Sequence, residues 1–176
     1  MTPTGLVTAL KAEIEDAVKG YKMQAENQGD KRVSVYAQYI RGEIIDGAAE
    51  GDDEIGDTYY PLIIVTYQGG KDDTPTRESP REEASVANIG LTFRTYGEDE
   101  AAWMDLLNIM EHVRQRVLTK RTVADEYRLV LPIEWHTIET QHYPFWFGYG
   151  TLQYTISQPQ ESFPLEFQDV TEEYAK

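Results

Sequence analysis

The chain has no cysteine, so disulfides, thiolate zinc sites and thiol nucleophiles are excluded together. Basic side chains are scarce: 16 Lys and Arg stand against 31 Asp and Glu, a formal charge of −15 over 176 residues. That balance disfavours a phosphate-binding surface, which needs clustered Lys and Arg, and equally disfavours docking on an anionic leaflet. No apolar run approaches the roughly 18 residues of a membrane span. The first residues, MTPTGLVTALKAEIED, carry acids where a signal peptide needs a basic start and an apolar stretch. Catalytic signatures are missing as well. There is no G-x-S-x-G, H-E-x-x-H, G-x-x-x-x-G-K-[ST] or G-x-G-x-x-G, and Gly69-Gly70-Lys71 reads as a turn.

What is present is a pattern for one domain of about 158 residues followed by an acidic tail, 159–176. Leu6, Val7, Leu10, Ile14, Ala17, Val18 and Tyr21 share a helical stripe, with Thr4 as N-cap and Gly29-Asp30 as the stop. A strand follows at 33–40, with Val33, Val35, Ala37 and Tyr39 on alternate positions. The run YYPLIIVTY, 59–67, is apolar at consecutive positions and predicts a central strand buried on both faces, with Pro61 near its start. In the next strand Ala87, Ile89, Leu91, Phe93 and Thr95 alternate with Asn88, Gly90, Thr92 and Arg94. A second helix opens at Gly97-Glu98-Asp99-Glu100, with acids in its first turn and a stripe of Trp103, Leu106, Leu107, Met110, Val113 and Val117. Tyr127, Leu129, Leu131, Ile133 and Trp135 alternate in the first arm of a closing hairpin, and Leu152, Tyr154 and Ile156 face inward in the second. The order α-β-β-β-α-β-β predicts an α+β domain: a mostly antiparallel sheet with both helices on one face.

Two polar stretches interrupt this pattern. Residues 41–57 hold seven acids and one base, among them Asp46, Glu50, Asp52, Asp53, Glu54 and Asp57. They read as a solvated acidic loop, lacking the alternation and glycine of a calcium-binding loop. Residues 68–83, with Lys71, Asp72, Asp73, Arg77 and Arg81, carry two Pro, two Gly and eight charges, and predict a long mobile loop without regular structure. Neither segment offers the pocket that acid–base carboxylates need. Glu134, His136 and His142 nominate a metal site, but their spacing matches no common ligand pattern and a surface role is favoured. His112 falls on the polar side of the second helix. No enzyme, metal or cofactor is expected.

Aromatic residues are the positive signal. Twelve Tyr, five Phe and three Trp are many for one core, and they gather at Tyr59-Tyr60 and at Tyr143, Phe145, Trp146, Phe147 and Tyr149. They either fill a small core or form a protein–protein interface, and the second is favoured because Tyr and Trp bring large area at low entropy cost.

Several segments occur in a familiar order: a leading helix, YYPLIIVTYQGGKDD, then Tyr96-Gly97-Glu98-Asp99-Glu100 entering AAWMDLLNIMEHVRQRVL. The proline-interrupted LVLPIEWHTIE and the Tyr-Pro-x-Trp-x-Gly segment at 143–148 follow, before a closing strand. Over residues 5–157 this resembles the tail terminator (tail completion) proteins of long-tailed bacteriophages and phage-tail-like particles. The resemblance implies a structural virion protein, assembled in the host cytoplasm and placed at the head-proximal end of the tail. It implies a homo-oligomer, a hexameric ring, that caps the tail tube protein's polymer and offers a surface for head–tail joining. DNA would pass through the ring without sequence-specific binding. The alternatives are a head-completion or neck connector protein of the same assembly and an acidic DNA mimic. The mimic is disfavoured because most of the excess charge lies in one loop and the tail.

Overall fold

A computed structural model of the chain describes residues 1–26, 28–39, 60–74, 85–99 and 101–158. Its elements are α1 (Pro3–Val18), β1 (Ser34–Ala37), β2 (Leu62–Asp72), β3 (Ser85–Tyr96), α2 (Ala101–Thr119), β4 (Thr122–Val123), β5 (Tyr127–Thr137) and β6 (Phe145–Thr155). One six-stranded sheet runs in the order β1-β2-β3-β6-β5-β4. Only β1 and β2 pair in parallel; every other neighbour is antiparallel. The fold is the α+β class that the hydrophobic periodicity predicts, with the two-residue β4 as an addition.

Both helices bury their apolar stripes on one face of this sheet. Leu6, Leu10 and Ile14 of α1 and Leu106, Ile109 and Val113 of α2 enter one core with Ile63, Val65, Ile89, Leu91, Phe93, Leu152 and Tyr154. The expected alternation of β3 holds, since Ala87, Ile89, Leu91, Phe93 and Thr95 are all buried. Each fully buried Leu, Ile or Phe contributes about 1.5–3 kcal/mol relative to exposure, so these strand and helix stripes carry the fold.

The helices differ in detail from expectation. Thr2, not Thr4, caps α1: its hydroxyl oxygen accepts from Gly5 N at 3.1 Å, and Pro3 occupies the first turn, where its missing N–H costs nothing. Thr2 N also donates to the Tyr127 hydroxyl at 3.1 Å, tying the helix start to β5. The helix ends at Val18, well before Gly29. Helix α2 starts at Ala101 with no acid in its first turn. Instead, the Asp99 carboxylate accepts from Glu26 N at 2.6 Å. On α2, Trp103 and Leu107 are exposed rather than buried, and the core positions they were assigned fall to Ala102, Asp105 and Ile109. A stripe has room for about three or four residues per two turns, and Ala102 and Ile109 complete it without them.

The strands depart from expectation in four places. β1 stops at Ala37, because Gln38 adopts φ 67° and turns the chain, leaving Tyr39 71% exposed. β2 is buried on both faces at residues 62–65 and flanked by β1 and β3, as expected, but lies one strand in from the edge, while β3 and β6 form the middle of the sheet. It also continues through Asp72, so Lys71 and Asp72 are strand residues opposite Val86 and Ser85, not part of a loop. Ladder hydrogen bonds to β3 outweigh the polar composition there, with Gly69 at φ 127° absorbing a bulge after Tyr67. Finally, β5 shifts register between Val130 and Glu134, around Pro132, which turns Leu131 out to 47% exposure.

Candidate interaction surfaces

Period-two alternation sorts the aromatic residues of β6. Trp146, Gly148, Gly150, Leu152 and Tyr154 point toward the helices; Phe145, Phe147 and Tyr149 point to the opposite, helix-free face. Gly150 sits directly beneath the Trp135 indole, where any Cβ would come within 2.8 Å of a ring carbon. Gly148 makes equal room for Met110.

On the helix-free face the half-buried aromatic rings meet across strands. Phe145 lies 5.3 Å from Tyr96 and 5.4 Å from Tyr60, centroid to centroid. The Arg94 guanidinium stands 5.6 Å from the centre of the Phe147 ring. Beyond it, His136 of β5 stacks on Tyr149 at 5.5 Å. A small apolar cluster of Leu62, Ile64, Tyr36 and Tyr60 extends the row to β1. The result is a belt across five strands, and among the described residues no helix lies on it. Two polar atoms in this surface, Arg94 Nε and Asn88 Oδ1, are shielded from water yet have no hydrogen-bond partner. Such atoms cost about 1–3 kcal/mol each when left unsatisfied.

The sequence therefore found Tyr60, Phe145, Phe147 and Tyr149, which the structure brings together. Tyr59, Asp46, Glu50, Asp52, Asp53, Glu54, Asp57, Arg77 and Arg81 lie outside the described residues. Trp146 is placed differently: it is half-buried against the helix-side core, and its indole N–H donates to Gly97 O at 3.3 Å. Tyr143, 65% exposed, donates to Glu98 O at 3.2 Å from the connection before β6. Asp73 is exposed at the end of β2 and pairs with Lys71 at 2.5 Å. Sequence reasoning missed Tyr36, Arg94, Tyr96 and His136 as members of the belt. Alternation in β3 held the signal, because Arg94 and Tyr96 share the parity opposite the buried set.

A second surface lies on the helix side. Between α2 and the outer half of β5 runs an open groove of about 550 Å³, lined by Leu107, Met110, Glu111, Arg114, Trp135 and Thr137 among others. Exposed Trp103 and Met104 continue it along the helix. Its one ion pair is internal: Arg114 Nε donates to Glu111 at 2.6 Å. Hydrogen bonds from Arg114 and then Gln115 hold the Glu111 carboxyl down at about 2.

Among the described residues no three His, Asp or Glu side chains gather into a metal site, and Glu134, His136 and His142 do not form one. Nor is any helix long and apolar enough to cross a membrane. The remaining ionic contacts are structural. Arg116 of α2 and Lys120, just past its end, pair with Glu13, and Arg116 also reaches Asp16 at 2.5 Å, joining the two helices. Hydrogen bonding from Lys120 keeps the Glu13 carboxyl below its ordinary range, with Arg116 adding to the effect against partial burial.

No family model matches the chain, and none of the curated proteins is significantly similar to it.

Proposed function

We propose that this chain is a structural, non-catalytic ring subunit that caps the end of a phage tail tube, stops its polymerisation and provides the surface for head–tail joining. One observation carries the reading: the aromatic belt on the helix-free face, with the Arg94 guanidinium beside the Phe147 ring inside it. Half-buried aromatics around an Arg guanidinium match the core of a protein–protein contact. We assign this belt to the tube end. The α+β domain and the segment order that resembles tail terminators support the same reading. The acidic balance suits a conduit along which DNA slides without being held.

The experiment is to add the protein to tail tube subunits during polymerisation and image the products. Capped tubes of limited length, each ending in a ring, support the proposal. Unlimited tubes together with binding to capsid portals would replace it with the neck connector. Unlimited tubes together with binding to a DNA-processing enzyme would replace it with the mimic.

A further inference from the structure

We infer that copies of this chain join edge to edge: β1 of one copy pairs antiparallel with the Glu134–Thr137 stretch of β5 in the next, setting Tyr36 beside His136. The inference deepens the reading proposed above by naming the contact between subunits, and rests on that reading for the closure of copies into a ring.

The two edges carry matching backbone groups. Among the described residues no strand lies outside β1, and β4 pairs only with Tyr127 and Arg128, so none lies outside Glu134–Thr137 either. Ser34 N donates to Pro61 O and Gln38 N to Val65 O, so the even-numbered residues of β1 face β2 while Val35 and Ala37 face outward. Just past β6, Ile156 N donates to Ser85 O, which turns even-numbered residues of β6 toward β3 and Tyr149 and Thr151 toward β5. Their partners His136 and Glu134 therefore bond inward, and Trp135 and Thr137 face outward. Tyr39 N already donates to Ala37 O, which leaves Ala37 N–H and both groups of Val35 for the joint. An edge of this kind is a template for strand addition, in which main-chain bonds supply the affinity.

The register comes from the sheet itself. Ala37, Val65, Leu91, Gly150 and Trp135 form one row across the strands, and Val35, Ile63, Phe93, Gly148 and Thr137 form another. The row between them runs from Tyr36 to His136 through Tyr149. Along the same path β5 runs opposite to β1. A rotation that carries one copy into the next without a slide along the strands thus sets Ala37 against Trp135 and Val35 against Thr137. The result is an antiparallel ladder in which the outward groups of the two edges meet. The faces agree too: Val35, Ala37 and Trp135 lie on the helix side, Tyr36 and His136 on the belt side. The aromatic belt then continues from one copy into the next.

Charge and exposed apolar surface select this joint over a symmetric one. Pairing β5 with a second β5 would bring Glu134 of each copy near Glu139 of the other, and like charges facing across strands destabilise the pair. Pairing β1 with β5 instead sets exposed Arg32 beside exposed Glu139 at one end of the joint. At the other end Tyr39, 71% exposed just past β1, comes to Leu131, 47% exposed in β5. Within a single chain β2, β3 and β6 stand between these two edges, so the contact requires a second copy. Unlike edges meeting head to tail make a heterologous contact, the kind that closes rings.

Tyr36 and His136 both bond away from the joint, so they form a non-hydrogen-bonded pair with Cα atoms about 4.5 Å apart, within reach of a disulfide. The chain has no cysteine of its own, so introduced thiols report this contact without background. Full-length Tyr36→Cys and His136→Cys proteins, distinguishable by a mass tag, are mixed and oxidised across a concentration series, free and with tail tubes. A disulfide-linked pair containing one of each is expected in at least one condition, at least tenfold above the yield when Tyr143→Cys, exposed before β6, replaces His136→Cys. Ser34→Cys with Ile138→Cys, the next pair of the same kind, is expected to give the same excess and stands in if either first variant fails to fold. Yield no greater than the control in every condition overturns the inference. So does a His136→Cys homodimer as the main product, which would mark a symmetric joint between two β5 edges. Tube capping by the unsubstituted protein is scored in parallel: capping without the link removes this contact and leaves the proposed function standing, and the link without capping does the reverse.

Discussion

The Arg94 guanidinium stands over the Phe147 ring at 5.6 Å, across the β3–β6 pairing, with its Nε bonded to nothing. In the free chain this arrangement costs more than it gives, because a shielded donor is left without an acceptor. A partner carboxylate meeting the terminal nitrogens of the guanidinium would add a charge-assisted contact. Arg94→Met keeps the aliphatic packing and removes the charge. It is expected to raise the protein concentration needed to cap tubes about tenfold, or about 1.4 kcal/mol, while melting stays level or rises. A lower melting temperature with capping unchanged would make Arg94 a structural residue.

Trp146 belongs to the fold and not to the belt. Trp146→Ala removes packing against the helix-side core and the indole bond to Gly97 O. About 2 kcal/mol of stability should be lost in urea unfolding, given a half-buried ring. Association of the molecules that remain folded should be unchanged. Loss of association with full stability would move the residue to an interface.

A fully buried carboxylate organises the chain after α1. Asp105 accepts from the Tyr21 hydroxyl at 2.6 Å and from Gln24 N and Ala25 N, both at 2.9 Å. Burial, and then the Asp105 carboxylate, push the Tyr21 phenol well above its ordinary value; burial does the same to Tyr154. Because the folded values are raised, the stability these phenols contribute is complete below about pH 10 and is lost as pH rises beyond it. Chemical denaturation at pH 9 and pH 11 should reveal a marked loss at the higher pH. Tyr21→Phe should cost about 2 kcal/mol at neutral pH and make that alkaline loss smaller.

Glu13 has the opposite sign. Its folded value is depressed, chiefly by Lys120, so the stability from the α1–α2 ion pairs is present above about pH 4.5 and lost as pH falls below it. Glu13→Gln should flatten the decline of unfolding free energy between pH 5 and about pH 3. An unaltered acid limb would assign the acid sensitivity to other carboxylates.

The parts legible in the sequence were those where one force dominates. Alternation in β3 and the Leu6, Val7, Leu10, Ile14 and Val18 stripe of α1 express burial alone, and these positions are buried as read, although the helix stops short of Tyr21. Where forces compete, the reading failed. Gln68-Gly69-Gly70-Lys71-Asp72 has loop composition, yet pairing with β3 keeps it a strand. Trp103 and Leu107 are apolar, but Ala102 and Ile109 fill the stripe first, leaving those two exposed, with Leu107 lining the groove. Phe145, Trp146 and Phe147 formed one cluster in sequence, whereas strand parity sends the middle residue to the opposite face of the sheet from its neighbours. The candidate surface was half legible for the same reason. Tyr60, Phe145, Phe147 and Tyr149 stood out by composition, while Arg94 and His136 join them only through cross-strand register.

The most direct test of the account is the length of tail tubes polymerised with and without this protein, read by electron microscopy at increasing molar ratio. Capping by a ring predicts that mean tube length falls as the ratio rises and that each shortened tube ends in one ring. Tubes of unchanged length and bare ends at every ratio would contradict it.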